Sequence, residues 1–183
     1  MGKLKLLRSE KLYAGKVFNL LVDHVEYPSG NHGVREVADH PGGAVALPLM
    51  KDGTTLLVRQ FRYPMKQYLY ELPAGKLNPG EDPKDCAARE LEEETGYVAG
   101  KMEKLTSIYT TPGFCNEMLH LYLATDLRKS ERGQQLEEGE LSLTVESVPF
   151  EKVIAMIESG EIIDSKTICA VLLAERRLKK RDS

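Results

Sequence analysis

GKLNPGEDPKDCAARELEEETGY, spanning Gly75–Tyr97, is the stretch whose reading decides the fold and the chemistry. Asp82 is a good helix N-cap, Pro83 suits the first helical position, and Asp85 stands where a capping-box acid would. Gly96 fits the C′ position that ends such a helix. Cys86, Ala87 and Leu91 supply an apolar face. Residues three and four apart share a helix face, so Glu90 aligns with Glu93 and Glu94. Carboxylates crowded on one face repel each other, a cost that a divalent cation among them removes. A few hard oxygen ligands, with room left for water and phosphate oxygens, suit Mg²⁺ or Mn²⁺. Arg89 lies four residues before Glu93 and can pair with it while other carboxylates stay available. Glu81 falls just before the helix, and Gly75–Gly80 supplies turn residues that let the chain double back toward the cluster.

Outward from this helix the pattern is mostly strands. Val17–Tyr27 alternates as a strand and leads through Pro28-Ser29-Gly30 to a second at Val34–Ala38. Ala44–Met50 and Thr54–Gln60 read as apolar strands joined by Lys51-Asp52-Gly53, a hairpin signal. Tyr68–Leu72 is a short strand, and Lys101–Thr110, Met118–Thr125 and Leu141–Pro149 follow it. Val153–Ser159 and Ser165–Lys179 read as helices. Strands with helices between and after them indicate a mixed sandwich instead of a doubly wound sheet.

Composition narrows the function classes. A chain of 183 residues, 42% of them hydrophobic, has material for one core plus a short extension. The longest apolar runs, Ala44–Met50 and Ile168–Ala174, fall far short of the roughly 20 residues of a membrane span. The N-terminus has no apolar stretch ahead of a cleavage site, so no signal peptide is expected. Cys86, Cys115 and Cys169 are scattered, without a CxxC, which points to a reducing cytoplasm. A net charge of −3 argues for neither nucleic acid nor membrane as partner. The acids are concentrated: Glu81–Glu94 holds seven, against Lys84 and Arg89. The basic run Arg176, Arg177, Lys179, Lys180 and Arg181 reads as a solvated helix end.

The acidic helix resembles the Nudix hydrolase box, G-x5-E-x7-R-E-U-x-E-E-x-G-U with U apolar. Gly75, Glu81, Arg89, Glu90, Leu91, Glu93, Glu94 and Gly96 stand in register, with Tyr97 in place of an aliphatic closer. At residue frequencies of roughly 5–7%, seven fixed positions coincide on the order of once in 10⁸ windows. Over roughly residues 15–160 the chain is similar to the ADP-ribose pyrophosphatase branch. Arg35-Glu36, His40–Leu49, Val58–Pro64, Glu71–Lys76 and Thr111–Glu117 carry that similarity, with Pro112 sixteen residues past Gly96. The resemblance implies an α+β fold: a Nudix α/β/α sandwich with a mixed β-sheet and an N-terminal antiparallel strand extension. It divides the chain into a dimerising extension, 1–40, and a hydrolase domain, 41–183. It further implies a domain-swapped homodimer and a Mg²⁺-dependent diphosphate hydrolase, Mn²⁺ being a substitute.

Carried over residue by residue, the resemblance makes Glu90 and Glu94 the principal metal carboxylates, with Glu93 beside them and the Ala74 carbonyl completing the site. Arg89 and Glu81 support the loop and helix through ion pairing. Arg62 matches a family arginine that touches substrate phosphate, and Arg35, Glu36, Pro112 and Gly113 match residues near the substrate. The general base comes from the acidic loop Gln134–Glu140, Glu138 first and Glu140 second. His24, His32, His40 and His120 show no ligand spacing. The implied reaction is hydrolysis of ADP-ribose to AMP and ribose 5-phosphate. Alternatives are a broader nucleoside diphosphate sugar hydrolase, acting on GDP-mannose or ADP-glucose, and a non-catalytic nucleotide sensor. Phe18, Tyr27 and Tyr63 are candidates for base stacking.

Overall fold

The computed structural model describes residues 3–136 and 138–180. Glu137 of the acidic loop and Arg181 of the basic run lie outside them. The chain forms two compact units, one made of the N-terminal residues up to Gly42 with Tyr109–Met118, the other of 43–108 and 119–183.

The first unit is an antiparallel meander of β1 (Lys5–Ala14), β2 (Asn19–Glu26) and β3 (His32–Asp39). β2 and β3 follow the expected strands, joined through a turn in which Gly30 takes a φ of 84°. β1 was not read as a strand. It is exposed along nearly its whole length, with Leu6, Leu12 and Tyr13 open, so it lacks the alternation that marks a half-buried strand. Tyr109–Met118 hooks onto the end of β3: Ala38 N–H donates to Phe114 O (2.8 Å) and Asn116 Nδ2 to Asp39 Oδ1 (2.8 Å).

The second unit holds two sheets. One runs β7 (Ala74–Lys76), β4 (Gly43–Pro48), β9 (Met118–Lys129), β8 (Tyr97–Tyr109), and the other β10 (Thr144–Pro149), β5 (Thr54–Arg62), β6 (Gln67–Glu71). β4, parallel to β9, is buried on both faces. Its small residues Ala44 and Ala46 lie with Tyr122 and Ala124 beneath Cys86, Ala87 and Leu91 of α1 (Pro83–Thr95). Val45 and Leu47 turn the other way, into a core with Leu121, Leu123, Val153 of α2 (Phe150–Glu158), and Ala170 and Val171 of α3 (Ser165–Lys179). Period-two alternation thus places one helix on one face and two on the other, a layered sandwich.

The expected β4–β5 hairpin does not form. Lys51-Asp52-Gly53 does turn the chain, with Gly53 at φ 81°, but among the described residues β4 and β5 share no ladder, meeting at the isolated Leu49–Thr55 bridge and through the Thr55 hydroxyl, which donates to Pro48 O (2.7 Å). Both flanks of β4 are hydrogen-bonded, by β7 and β9, so β5 crosses to pair with β10 and β6. No helix among the described residues is long and apolar enough to cross a membrane.

Candidate active site

α1 begins and ends as its caps dictate. The Asp82 carboxylate accepts the Lys84 N–H (2.8 Å), and Gly96, at φ 72°, donates to Glu92 O (2.8 Å). With Cys86, Ala87 and Leu91 fixed against β4, the acidic positions turn toward the loop that leaves β7. Glu90 and Glu94 are buried, and Glu93 is half-buried.

Close approach at Gly75 lets the helix and loop meet. A Cβ there would lie 1.9 Å from Glu90 Oε1, and one on Gly43 would lie 2.6 Å from Gly75 O. Only bare backbone fits between β4 and the Glu90 carboxylate. One residue earlier, the Ala74 N–H donates to Glu94 Oε2 (3.3 Å), so the backbone expected to complete a metal site adjoins that carboxylate.

Arg89 is the hub. Its Nε and Nη2 bond Glu81 (2.8 and 3.1 Å), and Nη1 bonds Glu90 Oε1 (2.6 Å) and Glu93 Oε2 (2.9 Å). The guanidinium, helped by the Asn78 N–H, holds Glu81 down to about 2. Cys86 donates toward Gly75 O and Lys76 O, and burial pushes its thiol up to about 12, leaving it inert as a nucleophile.

Glu90 and Glu94 behave in the opposite sense to Glu81. Burial raises Glu94 to about 8, reinforced by the charges of Glu90 and Glu140. Burial also raises Glu90, with Glu93 and Glu140 adding to it and Arg89 opposing. Among the described residues no group of three His, Cys, Asp or Glu side chains is assembled to hold a metal unaided. The donor set still suits a hard divalent cation: two buried carboxylates repel each other, and a positive charge beside them would stabilise both as anions.

The acidic loop is tied to the C-terminal end of α1. Ser130 N–H donates to Gly96 O (2.8 Å), Gln134 Nε2 to Glu94 O (2.7 Å) and Gln135 N–H to Glu93 O (2.8 Å). These donors meet carbonyls that a helix end leaves without partners. A 3₁₀ turn, Glu138–Glu140, follows, and the charge of Glu140 acts on both Glu90 and Glu94.

Arg62 ends β5 and clasps Glu71, at the end of β6, through Nε (2.6 Å) and Nη2 (2.7 Å). The charge of Glu94 reaches this guanidinium. Glu71 also receives Lys166 of α3. Glu71 lies in the Glu71–Lys76 stretch with no local signal of its role, and Lys166 has none either, their separation of 95 residues leaving only their polarity as a sign.

In the first unit, Arg35, Glu36, Pro112 and Gly113 line one cavity of about 510 Å³ with Asp23, Tyr109 and Phe114. Arg35 Nη2 donates to the Tyr27 hydroxyl (2.8 Å), and its guanidinium stands over that ring at 5.5 Å. Asp23, in the same lining, carries a buried Oδ1 with no hydrogen-bond partner among the described residues. Phe18 packs on Tyr13, and the Tyr63 ring lies beneath Lys66, so the other two stacking candidates have protein neighbours. His120 bonds Ser107 (2.9 Å) and His40 adjoins Glu117 (3.3 Å), placements that suit structural histidines. In the basic run, Arg177 bonds Glu103 (2.8 Å), as a helix end packed beside a strand would.

Residues 39–171 match the NUDIX domain family. An ADP-ribose pyrophosphatase of Bacillus subtilis (strain 168) is 42% identical over 91% of this chain and 90% of its own length. A methanol dehydrogenase activator of Bacillus methanolicus is 41% identical over 93% of this chain and 94% of its own length. A crystal structure of an ADP compounds hydrolase superposes with a TM-score of 0.85 at 20% identity, covering 99% of this chain and 97% of that one, which speaks for the fold. The box glycine beneath Glu90, the Arg89 hub and the family match over most of the chain lead to one assignment: this chain belongs to the NUDIX domain family.

Proposed function

We propose that this hydrolase cleaves the diphosphate bond of ADP-ribose, giving AMP and ribose 5-phosphate, with Mg²⁺ as its cation. The observation that carries the reading is the buried Glu90–Glu94 pair packed against the backbone of Gly75 and Ala74, where burial raises both carboxyls and a cation would stabilise both as anions. Its substrate is drawn from the Bacillus subtilis relative.

Glu90, Glu94 and Glu93, with the Ala74 carbonyl, would hold the cation. When bound, it would neutralise the diphosphate and make a water more acidic. Arg89 keeps Glu81 and Glu93 in place, and Arg62 presents a guanidinium to phosphate. The base accepts the proton of the attacking water, whose oxygen joins one phosphorus while the bridging P–O bond breaks. The charge coupling to Glu90 and Glu94 supports Glu140 for this role over Glu138. Arg35, Glu36, Pro112 and Gly113 would contact the nucleoside diphosphate sugar.

The same reading takes residues 1–40 as a dimerising extension, 41–183 as the hydrolase domain and a reducing cytoplasm as the setting. The exposed apolar side chains of β1 and its neighbourhood, Leu6, Leu12, Tyr13, Val17 and Phe18, support a swapped homodimer. Light scattering that finds only monomer would remove it.

The deciding experiment is mass spectrometry of products in ¹⁸O water. Purified protein and Mg²⁺ receive an equimolar mixture of ADP-ribose, ADP-glucose, GDP-mannose and NADH. Selective conversion of ADP-ribose to AMP and ribose 5-phosphate, one carrying ¹⁸O, supports the reading. Parallel loss of the other sugar nucleotides makes the enzyme a broader hydrolase, and no consumption refutes the assignment.

A further inference from the structure

Two strand ends and one helix start converge on a single buried carboxylate. Glu71 uses both oxygens on Arg62, Oε1 toward Nε and Oε2 toward Nη2. Oε2 is shared with Lys166 Nζ, and Lys166 also donates to Asp164 Oδ1 (3.0 Å). Asp164 is the N-cap of α3: its other oxygen accepts the Thr167 N–H (3.0 Å) and hydroxyl (2.6 Å). The Thr167 oxygen in turn accepts the Leu72 N–H (2.9 Å), closing the circuit beside Glu71.

Burial distinguishes the members of this circuit. The Glu71 side chain is 2% exposed and that of Lys166 11%, whereas that of Arg62 is 37% exposed. A bidentate clasp through Nε and Nη2 leaves Nη1 outside the pair, on the one member open to solvent. A buried ion pair that only braced the fold would need one cation, and an apolar pair of similar volume would do as well. Here a second cation, itself buried and paired with Asp164 at the start of α3, sits on the same carboxylate and fixes it. Arg62 and Lys166 balance Glu71 and Asp164, so the circuit is neutral as a whole, and Arg62 is its most exposed charged member. The charge of Glu94 also reaches this guanidinium, which ties the circuit to the carboxylates of α1.

We infer that Lys166 is a positioning residue for the diphosphate: held itself by Asp164 and sharing Glu71, it fixes the Arg62 fork with its Nη1 edge turned outward from the pair. This rests on the hydrolase reading above. Arg62 makes the contact and Lys166 acts through it.

The test is a double-mutant cycle of Arg62→Ala and Lys166→Met. It is read on binding of the α,β-methylene analogue of ADP-ribose with Mg²⁺ by calorimetry, and on KM and kcat for ADP-ribose. Lys166→Met should weaken analogue binding and raise KM on the order of tenfold. It should leave kcat within about threefold, because the base and the α1 carboxylates are untouched. In the Arg62→Ala background the same substitution should change Kd less than about twofold. Should Lys166→Met fail to fold, Lys166→Gln, which keeps a donor toward Glu71 without its charge, carries the same cycle. Equal fold-changes in both backgrounds, or a fall in kcat with KM unchanged, overturn the role of Lys166 while leaving the hydrolase reading intact. A wild-type protein that neither cleaves ADP-ribose nor binds the analogue overturns the hydrolase reading, and this inference with it.

Discussion

Replacing Gly75 by alanine would test the site at its tightest point. The added Cβ would stand 1.9 Å from Glu90 Oε1, 2.0 Å from its carboxyl carbon and 2.5 Å from Oε2. An ordinary contact is about 3.4 Å, so the carboxylate must retreat by about 1.5 Å, or the β7 loop by as much. The loop has little freedom, because Gly75 O already lies where a Cβ on Gly43 would be 2.6 Å away. Retreat of Glu90 also strains its 2.6 Å bond to Arg89. A displacement of about 1 Å in a reacting constellation costs on the order of 10²-fold. Gly75→Ala should therefore lower kcat/KM by about 10²-fold or more and weaken Mg²⁺ binding, with the circular dichroism spectrum preserved. Steady-state kinetics across a Mg²⁺ titration, beside a thermal melt, reads all three. Turnover within threefold of wild type at ordinary Mg²⁺ concentrations would refute the claim that this close approach sets the Glu90 position.

The raised Glu94 gives a signed pH effect: the native state binds more protons than the unfolded state between the ordinary 4.5 and about 8, so stability of the metal-free protein falls as pH rises through that window. The loss is on the order of 5 kcal/mol, and denaturant melts should show it shrinking in Glu94→Gln and on adding Mg²⁺ at pH 8; an unchanged slope in the variant would count against the burial account. Glu140→Gln should lower kcat about 10²- to 10⁴-fold with Mg²⁺ affinity nearly intact, and near-normal turnover there, with a collapse in Glu138→Gln, would return the base to Glu138. Gln134→Ala removes the donor to Glu94 O and should cost about 1–2 kcal/mol, seen as faster hydrogen exchange over 130–136 and the last turn of α1; unchanged exchange in both places would show that the tie is dispensable.

What could be read from the sequence was local. α1 was legible to the residue at its ends, because Asp82, Pro83 and Gly96 act within one turn of themselves. The Arg89–Glu93 pairing was legible for the same reason, being one turn of helix. The Lys51-Asp52-Gly53 turn was also correctly seen, but which strand pairs with which depends on β9, more than 60 residues on, which had taken the edge of β4. β7, at three residues, is too short to show a period, and exposed β1 has none to show. The Glu71–Lys166 contact joins β6 to α3 across the chain, and nothing in Glu71–Lys76 or in the start of α3 names the other.

The loop that closes the end of α1 separates two kinds of sequence change. Ser130, Gln134 and Gln135 are bound to the last turn of the helix, so the chain up to Gln135 is anchored to the residues that carry Glu93 and Glu94. On the far side of the Glu138–Glu140 turn, the Leu143 N–H donates to Glu140 O (2.7 Å). Insertions or deletions between these anchors would change how far an acid reaches from the helix without loosening the helix itself. If the loop supplies the base as proposed, its length would retune the distance between proton acceptor and phosphorus while the carboxylates of α1 stay where the fold put them.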